Sequence, residues 1–217
     1  MAEAETNTAG RRIRLSRFGK RDFDRPSRKL LKHIKTKRGL KTVIFVIETR
    51  DMLLIIFGQS GAEILSDLET SLAVMHTDYI DLYQYETDGF LPEKDSPDGI
   101  YNAFFRMKET GKIKAIGLAT QELDIAEKAI YSGLYDTIQF PLSMLSADAS
   151  IALVKLCEEN DVGFVAMQPL CGGLVENIPL AFGFLHQYEN VIPLWGVQTN
   201  EELEQILYFN EQSSHHP

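Results

Sequence analysis

Cysteine is scarce in this 217-residue chain, and long hydrophobic runs are lacking altogether. The two cysteines, Cys157 and Cys171, form no metal-ligand spacing and no disulfide framework. That usage suits a reducing compartment and makes the cytoplasm the expected location. The most apolar stretch, "VIFVIETRDMLLIIF", is broken by Glu48, Arg50 and Asp51, so no membrane span is expected. Basic residues near the N-terminus have no apolar segment behind them, which argues against a secretory signal. No G-x-G-x-x-G follows the first strand-like run, and neither "GLKTVIF" nor "PLCGG" is a Walker-type phosphate loop. Tyrosine is late to appear, the first being Tyr79.

The content that is present points to a globular α/β body behind a charged arm. Apolar residues make up 44% of the chain, enough to bury a substantial core. The net charge of −9 conceals an asymmetry: residues 1 to 42 hold 14 Lys+Arg against 4 Asp+Glu, so that segment carries +10 and the rest −19. No aromatic or groove-reading pattern accompanies the basic arm, so it is read as a solvated, poorly ordered tail and nucleic acid is not an expected partner.

From residue 43 onward short apolar strands alternate with helical segments. The strands are expected at 43 to 48, 79 to 85, 113 to 119, 136 to 140, 162 to 167 and 190 to 195. The helices are expected at 60 to 75, 97 to 110, 122 to 132, 147 to 160 and 199 to 209. Ser60 and Glu63 form a capping box, Pro97 suits a first helical turn, and Gly111 and Gly133 sit where C-terminal glycines belong. This alternation argues for parallel βαβ units, in either an open doubly wound sheet or most of a closed barrel. "MLLIIF" (52 to 57) is either an extra strand paired with residues 43 to 48 or an apolar insertion.

Five phrases, "SDLETSLAVMHTDYIDLYQYE", "GKIKAIGLAT", "DTIQFPLSMLS", "VGFVAMQPLCGG" and "IPLWGVQTNEELEQIL", occur in an order and spacing that resemble the aldo-keto reductase family from about residue 60 to 210. The last is most similar to the branch that continues into a cysteine-rich iron-sulfur extension, which does not follow here before Pro217. The resemblance implies a (β/α)8 barrel of the TIM type, here partial, with about six βα units in residues 43 to 210 and the first two missing. Residues 1 to 42 then form the basic arm and residues 211 to 217 a tail. A partial barrel leaves two strand edges exposed unless residues 1 to 42 or a second copy of the chain, in a homo-oligomer, covers them.

The resemblance also implies NADPH or NADH as cofactor and a small carbonyl compound as substrate, with a tyrosine giving the proton and a lysine, a histidine and an aspartate supporting it. The matching tyrosine, aspartate and lysine are not found, Glu48 standing at the lysine's place. Glu86 stands at the histidine's place, and a protonated carboxyl there could hydrogen-bond a bound carbonyl. On the cofactor side the match assigns Ala119 and Thr120 to the place of the Ser-Asn pair that holds the ring carboxamide, while Gln139 matches the family. Leu142 takes the position of the aromatic residue that stacks on the ring. Gly172 and Gly173 allow close backbone approach, and Gln198 and Thr199 offer hydrogen bonds to the adenosine phosphate. Glu202 replaces an arginine and favours NADH over NADPH. Strand alternation puts Gln84 and Glu86 on one face and Tyr83 and Tyr85 on the other, so neither phenol is expected to replace the absent tyrosine. The expected function is therefore NAD(P)H-dependent carbonyl reduction, weak or absent in turnover. The alternative is a non-catalytic barrel acting as a binding protein.

Overall fold

The computed structural model describes residues 53–56, 60–75, 77–87, 89–196 and 200–213. The basic arm, the run "VIFVIE" with Glu48, and both Gln198 and Thr199 lie outside the described residues. Strand and helix alternate along the rest. β1 (Leu53–Ile56) is followed by α1 (Gly61–Met75), β2 (Ile80–Glu86), α2 (Ile100–Glu109), β3 (Ile113–Ala119), α3 (Leu123–Ser132) and β4 (Thr137–Pro141). Then come α4 (Asp148–Glu159), β5 (Gly163–Met167), a single 3-10 turn (Cys171–Gly173), α5 (Ile178–His186), β6 (Val191–Pro193) and α6 (Asn200–Ser213).

The six strands pair in parallel in their order along the chain, β1 to β6. A doubly wound sheet reverses its strand order at a switch point, whereas a barrel adds each strand to the last. The sequential order therefore decides for the barrel, and the fold is an arc of a (β/α)8 barrel.

Two expectations need correction. The neighbour of β2 is formed by Leu53–Ile56 of "MLLIIF", with Leu53 opposite Leu82 and Ile56 opposite Tyr85. This stretch is thus an integral strand rather than an insertion, and the position after its end falls in "FGQS", which has no lysine. Pro97 lies in the turn before α2, which starts at Ile100 behind the left-handed Gly99, with Asp98 Oδ1 accepting from the Ile100 N–H at 2.7 Å. A helix at 178 to 186 was absent from the expected set. Its start is specified by the Asn177 side chain, which accepts from the Leu180 N–H, and by Pro179 in the first turn.

The sheet separates two apolar layers. Facing the helices, Tyr83, Ile116, Leu118, Ile138, Phe164 and Ala166 meet helix residues such as Ile64, Phe104, Ala126 and Val154 in one continuous core. On the opposite face Leu82, Ala115, Val165 and Ile192 form a smaller cluster with Leu194. Each full burial of such a side chain is worth about 1.5–3 kcal/mol. Asp136, just before β4, ties α2 to β3: it accepts from Lys108 Nζ at 2.6 Å and from the Ile116 N–H at 2.7 Å.

The helix-side tyrosines illustrate how a buried hydroxyl can help or hurt. Tyr135 donates to the Pro92 carbonyl at 2.6 Å, while the Tyr83 hydroxyl is buried with no hydrogen-bond partner among the described residues. Tyr135→Phe should cost about 1–2 kcal/mol by leaving the Pro92 carbonyl unpaired. Tyr83→Phe removes only an unsatisfied group and should leave stability unchanged or raised by about 1 kcal/mol. Urea denaturation of both variants beside the parent checks the contrast; equal losses would contradict it.

Candidate functional site

Glu86 ends β2, and the site grows from the strand alternation that places it. Glu86 lies opposite Ala119, and Ala119 opposite Gln139. Gln139 in turn lies opposite Val165, and Val165 opposite Ile192. These five positions follow one pairing register on the interior face, from the C-terminal ends of β2 and β3, where barrels of this type place their chemistry, to the middle of β4, β5 and β6. One layer deeper, Gln84 lies opposite Gly117, Gly117 opposite Thr137, and Thr137 opposite Gly163. Leu82 and Ala115, two residues further down β2 and β3, pack in one cluster with Val165 and Ile192.

The two upper layers are joined by a buried polar chain. Thr137 donates its hydroxyl proton to Gln84 Oε1 at 3.1 Å. Gln84 Nε2 donates to Gln139 Oε1 at 2.7 Å, and Gln139 Nε2 donates to Met167 Sδ at 3.7 Å. Gln84, Thr137 and Gln139 are all buried, at 0%, 1% and 4% exposure. Room for the chain depends on Gly117, where an added Cβ would come within 2.5 Å of Thr137 Oγ1 and 2.6 Å of Gln84 Oε1.

The remaining expected site residues divide. Ala119 and Thr120 close β3, with the Thr120 N–H donating to the Gln139 carbonyl at 3.0 Å. The Thr120 hydroxyl accepts from the Glu122 N–H at 3.1 Å, which leaves its own proton to donate. Gly172 and Gly173 adopt φ values of 67° and 96° in the loop after β5, with open space where a Cβ would be. Only glycine takes these angles without strain, and the loop backbone is open to an approaching group. Leu142 is a correction: it is fully buried in the helix-side core, its N–H donating to the Met167 carbonyl, so it offers no surface to a ring. Alternation turns Leu142 away and leaves Pro141, opposite Met167, at that height. Glu202 is exposed in the first turn of α6.

All eight tyrosines of the chain fall within the described residues, and none stands on the interior row. Tyr83 and Tyr85 pack against Phe104 with ring centroids 5.2 and 6.3 Å away. Burial first, then the Asp98 and Glu63 carboxylates, push the Tyr85 phenol up to about 12, so it holds its proton. Tyr101 and Tyr135 pair on the helix side, Lys114 caps the ring of Tyr79, and Tyr188 meets Phe184. No group of three or more metal-ligating side chains occurs among the described residues, and His186 stacks on Phe182.

An open groove of about 830 Å³ lies between the start of α5 and α6. Its floor is apolar, with Ile178, Pro179 and Phe209, and its rim carries Glu176, Glu201 and Glu204. The groove follows the C-terminal ends of β5 and β6, as does the glycine loop. Among the described residues no lysine or arginine lines it, and a phosphate placed there would meet three carboxylates. Thr137, Met167 and this groove are not singled out by the sequence, and Gln84 is placed by it on the face of Glu86 without a role. The shared strand parity of 137 with 139 was the available signal for Thr137.

The family model described as "Aldo/keto reductase family" matches residues 34–181. The chain belongs to that family. A probable aldo-keto reductase 1 from Glycine max is 30% identical over 118 residues, covering 51% of this chain and 33% of the relative. An NADH-specific methylglyoxal reductase from Escherichia coli is 28% identical over 116 residues, covering 54% of this chain and 36% of the relative. The matched stretch thus spans about a third of the length of these curated relatives. Among solved structures, an aldo-keto reductase from Klebsiella pneumoniae in complex with NADPH superposes with a TM-score of 0.64 at 16% identity, covering 77% of this chain and 67% of that one. The apo form of an aldo-keto reductase from Bacillus halodurans gives 0.62 at 20% identity, covering 79% and 69%. At these identities the structural likeness speaks to the fold.

Proposed function

We propose that this chain is a nicotinamide-nucleotide-binding member of its family, of the NAD(P)H-dependent carbonyl-reducing class, with turnover that is weak or absent. The cofactor, when bound, supplies hydride to a carbonyl carbon. The protein would then have to give a proton to the developing alkoxide. The observation that carries the reading of weak turnover is the placement of all eight tyrosines off the interior row, where Glu86 is the ionisable group at the strand ends.

Cofactor binding is supported by the donors at Thr120 and Gln139, which suit a carboxamide, and by the open backbone at Gly172 and Gly173. Glu202 and the three carboxylates of the groove oppose the extra phosphate of NADPH, so the fit is to NADH.

Fluorescence titration of the purified chain with NADH and NADPH tests this directly. NADH should bind at least roughly tenfold more tightly, about 1.4 kcal/mol. Absorbance assays with a panel of aldehydes and methylglyoxal should then show little or no oxidation of NADH. Binding of neither nucleotide would overturn the assignment, and robust turnover lost in Glu86→Ala would overturn its weak-turnover part.

A further inference from the structure

Charge is segregated along this chain. Residues 156 to 217 hold nine Asp and Glu and no Lys or Arg, whereas residues 11 to 33 hold ten Lys and Arg and two Asp. The acidic stretch supplies β5, α5, β6 and α6, and every residue lining the groove between α5 and α6 comes from it. Glu176, Glu201 and Glu204 stand exposed on the rim, over the floor of Ile178, Pro179 and Phe209. Two contacts hold the groove in shape: Phe182 of α5 meets Phe209 of α6 with ring centroids 6.1 Å apart, and the Asn177 side chain accepts from the Leu180 N–H at 3.0 Å. Tyr208 on the groove wall and Leu180 beside Pro179 are 57% and 51% exposed. Apolar surface of this kind, rimmed by charge of one sign, marks a docking site, and its occupant has to bring both cations and apolar side chains.

We infer that the groove docks residues 11 to 33 of the same chain, the arm's arginines and lysines pairing with the rim carboxylates and its apolar side chains covering the floor. The composition fits both halves, since Ile13, Leu15, Phe18, Phe23, Leu30 and Leu31 are interspersed among the ten cations. These residues precede the stretch 34–181 that matches the family model, so they are outside the part of the chain that the family pattern accounts for. Reach is sufficient: the roughly 20 residues between His33 and Leu53 span up to about 65 Å, against a width of about 45 Å for a chain of this size. Tethering to β1 gives the arm an effective concentration on the order of millimolar, which favours it over the arm of a second copy. Nucleic acid is disfavoured here because its phosphates would meet the three carboxylates. Docked in the groove, the arm lies at the same end of the arc as Glu86 and the glycine loop.

The test uses the full chain. A carbodiimide joins a lysine amine to a carboxylate that touches it, and an equal mixture of 15N-labelled and unlabelled protein separates links within a chain from links between chains by mass. Lys20, Lys29 and Lys32 should link to Glu176, Glu201 or Glu204 within one chain, and the links should fade in about 0.5 M salt, where the screening length falls to about 4 Å. Combining Glu176→Gln, Glu201→Gln and Glu204→Gln should release the arm, so that trypsin cuts within residues 11 to 33 roughly five- to tenfold faster than in the parent, cleavage following the undocked fraction. A control carrying Glu109→Gln, Glu127→Gln and Glu158→Gln, exposed carboxylates of α2, α3 and α4, makes the same change in net charge and should be cut at the parent's rate. Links scattered over carboxylates of the whole surface, or equal cutting of the parent and the groove variant, would overturn the inference. Links found only between chains would give the groove to a second copy and overturn it as well. If the groove variant fails to fold, the crosslinks of the parent decide alone. No nucleotide enters either readout, so the outcome is separate from that of the nicotinamide titration.

Discussion

Gly117→Ala should be the most damaging single methyl addition within the sheet, costing about 3 kcal/mol or more. The new Cβ would lie 2.5 Å from Thr137 Oγ1 and 2.6 Å from both Cγ and Oε1 of Gln84. Moving Thr137 Oγ1 or Gln84 Oε1 away from the new methyl breaks the buried hydrogen bonds that hold both side chains. Overpacking a filled layer costs about 1–3 kcal/mol, and each buried amide left without its partner adds about 1–3 kcal/mol. Gly163→Ala is the matched control on the other side of Thr137. There the nearest atom is Thr137 Cγ2 at 3.2 Å, followed by the Asp136 carbonyl at 3.6 Å, so a small shift accommodates the methyl. Urea unfolding should separate the two variants by about 2 kcal/mol, on the order of the overpacking cost itself. A Gly117→Ala protein as stable as Gly163→Ala would mean that the interior layer is looser than its contacts indicate.

The same residues explain which parts of the molecule could be read in advance. The parity of "YIDLYQYE" was sufficient to send Tyr83 and Tyr85 to the helices and Gln84 and Glu86 to the interior, because one face of a buried strand must match each layer. The left-handed positions of Gly111 and Gly133 were equally local, and both end their helices. The strand beside β2 was not legible in the same way. "VIFVIE" and "MLLIIF" are similarly apolar and β-prone, and only the pairing of Leu53 with Leu82 chooses between them. The buried chain is less local still, since Gln84 lies 55 residues from Gln139 and 53 from Thr137. Its need for Gly117 likewise depends on three strands meeting in one layer, so within "IKAIGLA" that glycine looked like an ordinary strand residue. Leu142 failed for a related reason: a residue can occupy its relatives' aligned position while alternation turns its side chain into the core.

Alkaline solution should unfold this protein cooperatively near pH 11, because its helix-side core buries several groups that are acidic only at high pH. Tyr83, Tyr85, Tyr135 and Cys157 are 0%, 4%, 5% and 0% exposed. Burial raises all four, with Tyr85 and Cys157 each pushed up to about 12. The unfolded chain loses these protons near the ordinary values, about 8.5 for the thiol and about 10 for the phenols. Between those values and the raised ones the folded state binds more protons, so stability falls as pH rises. It is fully present below about pH 8 and declines by up to about 1.4 kcal/mol per pH unit for each group in its window. At pH 11 three phenols, one unit past their ordinary value, and one thiol, more than two units past, together remove about 7 kcal/mol. A typical domain is stable by about 5–15 kcal/mol, so the loss is comparable to the whole. Exposed phenols such as Tyr131 and Tyr208 ionise without unfolding, so the part of the phenolate absorbance that comes from the buried tyrosines should appear together with the loss of the circular dichroism signal. Tyr83→Phe removes one of the titrating groups and should move the midpoint to higher pH. Full phenolate absorbance with the helix signal intact would mean that these phenols ionise inside the folded core.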